Sequence, residues 1–385
     1  MSEQTTRREF LKDTGLVAGA IGVLNPMQAL AEAQTRATIK YPNGGAEHCI
    51  FIWLGGGAAQ IDMWDPKRVG DPKAKKAGSA YPAIDTAIPG VQVTEHLGQC
   101  AKILDRFCLL RTVNHDTKDE HAAATNRMHT GRPVSGTIVY PSIGSIVANQ
   151  RGKVTKGMPA YVVMGYPNLT RGPGFLGAQD GYIYLIDTEA GPSGLRRPSG
   201  ISDTRQTRRE QLLSELRSGF RQRTSTDPAV KNYDSVIEEA FALGRGEFMN
   251  AFQLTNESGG LRESYGGEFG QRCLLARRLV QRGVRFIEVS FNLNFINGTG
   301  WDTHNEGQEN QHILIRQLDQ ALASLVLDLE KHKLSDKTLV VVATEFGRPA
   351  QFDDGGGRGH HSGSFSVVTA GGGLNNGQAI GGTNE

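Results

Sequence analysis

Short, almost wholly apolar runs punctuate the chain at 48–54 (HCIFIWL), 107–112 (FCLLRT), 160–164 (AYVVM), 284–291 (VRFIEVSF), 338–343 (TLVVVA) and 364–369 (SFSVVT). Runs of this length without polar alternation read as strands buried on both faces. Between them apolar residues recur at helical spacing. Ile313, Leu314, Leu318, Leu322, Leu325 and Leu329 form one stripe within 307–331, and a second stripe over 268–282 stops at Gly283. Helices are also predicted over 94–105, 119–130, 142–150 and most of 204–256. Strands alternating with helices predict an α/β protein with three layers, a mostly parallel central sheet and helices on both faces. The stretch 168–200 is rich in Gly and Pro and has no period, so it predicts a long surface excursion. With the charged helical segment that follows, it suggests a loop and helix insertion, or cap, over 168–265.

Acids and histidines fall beside these apolar runs. In an open α/β sheet, loops at the carboxyl ends of the strands build the ligand site, so residues far apart in sequence can converge. Asp62 follows Gly55-Gly56-Gly57 and reads equally as a metal ligand or as the cap of a turn. Asp65 precedes Pro66 and fits turn chemistry. His115 and His121 crowd the start of a helix after the second strand, among acids that suit its dipole. Asp302 and His304 follow Trp301, with one residue between them. Glu345 comes off the tip of the most apolar strand, where an unpaired acid is costly. His360 and His361 share a glycine-rich loop, one expected as a ligand and the other as its support. Carboxylates and imidazoles are the ligands a divalent ion such as zinc or manganese takes, with calcium as a further candidate. Arg348 and Arg111 are candidates to hold an anionic substrate.

The first segment reads as an address. Arg7-Arg8 precede a mild apolar stretch from Gly15 to Leu24, then Pro26 and Ala29-Leu30-Ala31. This order predicts a twin-arginine signal over 1–31, recognised by that export machinery, and a periplasmic or extracellular mature protein. No other stretch predicts stable membrane insertion. A net charge of +2 over 385 residues gives no case for nucleic acid. Cys49, Cys100, Cys108 and Cys273 form no CxxC, although an oxidising compartment permits a Cys100–Cys108 bridge.

The blocks LGGGAAQIDMWDPK, GPGFLGA, FGQRCLLARRLVQRGVRF, GWDTHNE, TLVVVATEFGRP, GRGHHSGSFSVVTAGGG and IGGTNE resemble, in this order, the "domain of unknown function 1501" family. That family is similar to the alkaline phosphatase and sulfatase superfamily. The resemblance implies an alkaline phosphatase-like fold over 32–385 and metal ions, commonly zinc, held by Asp and His. It matches Asp62 to a first metal Asp, Asp302 and His304 to a later pair, Glu345 to the acid after the central strand, and His360 to the final His. It also implies a further C-terminal segment that this chain is expected to lack. Two departures stand out. Glu345-Phe346 replaces Asp-His, and His121 occupies the nucleophile position of a sulfatase-like block ending Thr130-Gly131-Arg132.

The expectation is therefore an exported metal-dependent hydrolase of phosphate or sulfate esters. Its substrate would be a small anionic ester or a sulfated or phosphorylated glycan. A metal-activated water fits better than a Ser or Thr nucleophile. His121 would be a ligand or a general acid/base, with Arg348 or Arg111 on the anion. The alternative is a non-catalytic periplasmic binding or assembly protein that retains the fold.

Overall fold

The computed structural model of the protein describes residues 44–196, 199–224, 227–245, 247–291, 300–304 and 307–384. The signal-like segment 1–31 lies outside them. Among the described residues ten strands form: β1 His48–Trp53, β2 Ala83–Asp85, β3 Gln92–Thr94, β4 Phe107–Val113, β5 Tyr161–Met164, β6 Ile183–Leu185, β7 Phe286–Ser290, β8 Thr338–Ala343, β9 Phe365–Gly371 and β10 Gln378–Ile380. Strands β2 and β3 pair as a small antiparallel ribbon. The other eight make one sheet in the order β10-β4-β9-β8-β1-β7-β5-β6. Every neighbouring pair is parallel except those of β9, which runs against both β4 and β8. The predicted mostly parallel α/β sheet is what forms.

The pleat explains the layers. Ile50, Ile52, Val162, Met164, Ile287, Val289, Val340 and Val342 point to one face, against helices Glu268–Gln281 and Gly307–Lys331. Each fully buried apolar side chain there stabilises the fold by about 1.5–3 kcal/mol. The intervening Phe51, Trp53, Tyr161, Val163, Phe286 and Ala343 point to the other face, where Ala148 of helix Ile143–Arg151 meets them. Both faces are covered, which is why these strands read as unbroken apolar runs.

Some details differ from the sequence pattern. Ile313 is 39 % exposed, because the buried stripe follows Leu314, Leu318, Leu322, Leu325 and Leu329. The region 94–105 breaks into short turns, Glu95–Leu97, Gly98–Lys102 and Leu104–Arg106. The Gly- and Pro-rich excursion contributes β6, which extends the sheet beside β5. All four cysteines are free, so the Cys100–Cys108 bridge does not form; the Cys100 thiol faces the Asp319 carbonyl instead. Among the described residues, no helix is long and apolar enough to cross a membrane.

The direction of β9 positions the site. The parallel strands β1, β4, β7 and β8 finish at one edge of the sheet, and antiparallel β9 starts there. The loop before β9, carrying His360, therefore meets the loops after the other four.

Candidate metal centre

The glycine loop after β1 is the floor of the site. Gly56 has φ +122°, and a Cβ there would lie 2.4 Å from the Asp302 backbone nitrogen. Only glycine permits this approach. The Gly56 N–H donates to Glu345 Oε1 at 2.8 Å, so one glycine joins the loops after β7 and β8. The loop before β9 is stitched in by Arg358 N–H to the Thr303 carbonyl at 2.9 Å. Gly347 and His361 also exchange backbone bonds, both 2.9 Å.

Four donor atoms gather above this floor. His360 Nε2 lies 3.1 Å from His121 Nε2 and 3.1 Å from His304 Nε2. Asp302 Oδ1 lies 3.4 Å from His121 Nε2, 3.1 Å from His304 Nε2 and 3.6 Å from His360 Nε2. His121, Asp302 and His360 each offer one atom within 4.8 Å of the others and could hold a metal ion. His304 extends the set across its Asp302–His360 edge.

The groups behind the donors set their chemistry. His121 Nδ1 donates to Glu345 Oε1 at 2.7 Å, which leaves Nε2 as the atom facing Asp302 and His360. Burial disfavours a charge on His121, but Asp302 and Glu345 outweigh it and raise its pKa to about 9. Burial also opposes ionisation of Asp302, yet hydrogen bonds from His121 and Arg348 hold its carboxyl well below the usual range. His360 is lowered by burial and by the nearby Arg348 and His121 charges. The Phe346 ring packs on both imidazoles, 4.8 Å from His121 and 4.5 Å from His360 between centroids.

Other residues expected at the site are used differently. Asp62 is fully buried and takes Arg358 Nε at 2.9 Å on one oxygen and Nη2 at 3.0 Å on the other. Its carboxylate is committed to a guanidinium and does not join the donor set, which corrects the expectation of a metal Asp. Glu345 stands behind His121 rather than beside its Nε2. His115 accepts from Thr117 N–H at Nδ1, 3.2 Å, and donates from Nε2 to the Glu345 carbonyl at 2.5 Å. With both nitrogens engaged, it positions Glu345 and is not gathered as a ligand. Arg348 is fully buried and donates to the Gly56, Gly57 and Arg358 carbonyls and to Asp302. It orients Asp302 instead of facing a substrate. Arg111 donates to the Gln92 carbonyl at 2.8 Å and lies 3.5 Å from Asp65. Asp65 in turn accepts from Lys67 and Thr383, so this pair anchors the last residues. The His361 side chain is exposed and does not support His360.

Sequence reasoning missed three groups. Asp353 Oδ2 backs His304 Nδ1 at 3.6 Å; an acid just ahead of Gly355-Gly356-Gly357 was its signal. Glu288, fully buried in β7, pairs with Arg171 and lies 3.4 Å from His129 Nε2. A single acid in an otherwise apolar strand was the clue to that cluster. Arg171, His121 and Asp302 line one cleft of about 370 Å³.

A family model described as "Protein of unknown function (DUF1501)" matches residues 46–385. No match is found among curated proteins. Solved structures with a similar chain path include the lipoteichoic acid synthase LtaP from Listeria monocytogenes, at 9% identity over 88% of this chain and 68% of that chain, TM-score 0.40. Another is the alkaline phosphatase from the Antarctic bacterium TAB5 in a mutant form with magnesium bound, at 12% identity over 88% and 95%, TM-score 0.36. A third is the PsFucS1 sulfatase from Pseudoalteromonas sp., at 11% identity over 91% and 66%, TM-score 0.37.

Proposed function

The chain belongs to the DUF1501 family, a premise that fixes no chemistry, and from the site itself we propose an exported metal-dependent hydrolase of phosphate or sulfate esters. The observation that carries this reading is the convergence of the His121, His304 and His360 Nε2 atoms on Asp302 Oδ1. Neighbouring donors there are 3.1–3.6 Å apart. A tetrahedral ion with bonds of about 2.0–2.1 Å sets its ligands about 3.3 Å from one another. The imidazoles of His121 and His360 with the Asp302 carboxylate suit zinc, with manganese next, and leave the fourth position open for water.

When bound, such an ion polarises the ester oxygen and makes water nucleophilic near neutral pH. The protein's own groups do the positioning. Glu345 fixes the tautomer and ring plane of His121, His115 holds the Glu345 backbone, and Arg348 fixes Asp302. The burial of Glu345 and Arg348 keeps these supports rigid, so substrate meets a preorganised set. The Arg7-Arg8 segment supports export in the folded state, a route open to a protein that takes up its metal first.

The test is metal analysis of zinc-reconstituted, dialysed protein, paired with hydrolysis of 4-nitrophenyl phosphate and 4-nitrophenyl sulfate. Stoichiometric metal and turnover that His121→Ala abolishes are the expected results. Turnover unchanged in that variant contradicts the reading. Stoichiometric metal without turnover of any ester favours the binding or assembly role.

A further inference from the structure

The cleft beside the donor set holds an arginine that the sequence pattern did not single out. Arg171 ends the short turn Leu169–Arg171 and is only 5 % exposed, yet it lines the cleft with His121, Asp302, Thr125 and Thr170. Its backbone is pinned, since Ser142 Oγ donates to the Arg171 carbonyl at 2.8 Å and Ser142 N–H to the Gly172 carbonyl at 3.0 Å. Its Nε donates to Glu288 Oε1. Among the described residues, Nη1 and Nη2 make no hydrogen bond, and neither is sealed away from solvent.

What lies behind Arg171 is built to hold it. Glu288 sits in mid-sheet with no exposure, and its other oxygen lies 3.4 Å from both the Tyr161 hydroxyl and His129 Nε2. His129 Nδ1 donates to the Thr125 carbonyl at 2.9 Å, and its ring meets the edge of Trp53 with centroids 4.5 Å apart. A buried carboxylate is costly unless matched, so Glu288 locks the inner side of the guanidinium and leaves the outer fork for the cleft. Two parallel N–H donors in a plane match two oxygens of a phosphate or sulfate group.

We propose that Arg171 is the oxyanion-holding residue of this cleft. It takes two oxygens of a tetrahedral phosphate or sulfate group, the role the sequence pattern gave to Arg348 or Arg111. His121 and Asp302 of the donor set line the same cleft. This deepens the hydrolase reading, on which the identity of the ester rests; the binding of the anion itself needs only Arg171.

The experiment is calorimetric titration of inorganic phosphate, and separately of inorganic sulfate, into chelator-stripped full-length protein. Wild type is compared with Arg171→Lys and with Arg171→Met/Glu288→Gln, the double change removing both buried charges together so that folding is retained. Wild type should bind at least one anion saturably, and the tighter one names the ester class. The double variant should bind about tenfold or more weakly, as expected for loss of charged hydrogen bonds, with Arg171→Lys in between and the metal content after reconstitution unchanged. Loss of this kind supports the assignment whether or not any ester turns over. A folded double variant that binds as wild type does, or no saturable binding by wild type, overturns it, even if ester hydrolysis is found.

Discussion

Two aspartates, fully buried Asp62 and half-buried Asp302, sit in loops at the same edge of the sheet and have different surroundings. Asp62 is met by a guanidinium fork from Arg358, by the Ala80 N–H at 2.7 Å and by no imidazole in the donor set. Its charge is balanced by the protein. Asp302 Oδ1 takes a hydrogen bond from Arg348 and also faces three imidazole nitrogens, one of which, His304 Nε2, lies 3.4 Å from Arg348 Nη1. Imidazole lone pairs and a carboxylate oxygen repel unless a proton or a cation lies between them. Asp62, paired with Arg358 away from the imidazoles of the set, is a structural joint, whereas Asp302, which faces three imidazoles as well as Arg348, is a place for a cation.

That contrast can be broken experimentally. The largest effect is expected for His360→Ala, which should abolish metal retention and ester turnover while the melting temperature of the metal-free protein moves little. Next, Arg358→Met removes the guanidinium from buried Asp62, and should cost about 3–5 kcal/mol in urea unfolding while the folded fraction keeps its metal. Glu345→Gln should weaken metal affinity by about 10–100-fold in competition with a chromophoric chelator, because His121 loses the partner that fixes its tautomer.

A pH effect is expected to be smaller and separate. Burial opposes ionisation of Glu288, but Arg171 and His129 together depress its pKa from 4.5 to about 2. A depressed carboxyl contributes stability above its unfolded value, and that contribution is lost as pH falls from about 4.5 through about 2. Urea titrations across this range should show a steeper acid loss in wild type than in Glu288→Gln. Lys75→Ala is the smallest change: its partner Asp354 is fully exposed at the surface, and the unfolding midpoint should not move.

The sheet was legible because its strands are buried on both faces, which leaves unbroken apolar runs such as TLVVVA. The short β2, β3, β6 and β10 were not, since three residues carry too little pattern. The pattern singled out each residue of the donor set, His121, Asp302, His304 and His360, but also Asp62, His115 and Glu345, which are used otherwise. What the sequence hid was partnership. Nothing near Asp62 announces Arg358, which lies 296 positions away. His360 precedes its strand, and only the antiparallel course of β9 brings it to the edge where the parallel strands end. Arg171 stands in a stretch without periodicity, and its meaning comes from Glu288 across the sheet.

The most direct test is metal content of reconstituted Asp302→Asn and Asp62→Asn proteins, measured side by side on the folded fraction. Loss of the ion from Asp302→Asn and its full retention by Asp62→Asn is the predicted result. Retention by Asp302→Asn, or loss confined to Asp62→Asn, would contradict the placement of the metal among His121, Asp302 and His360.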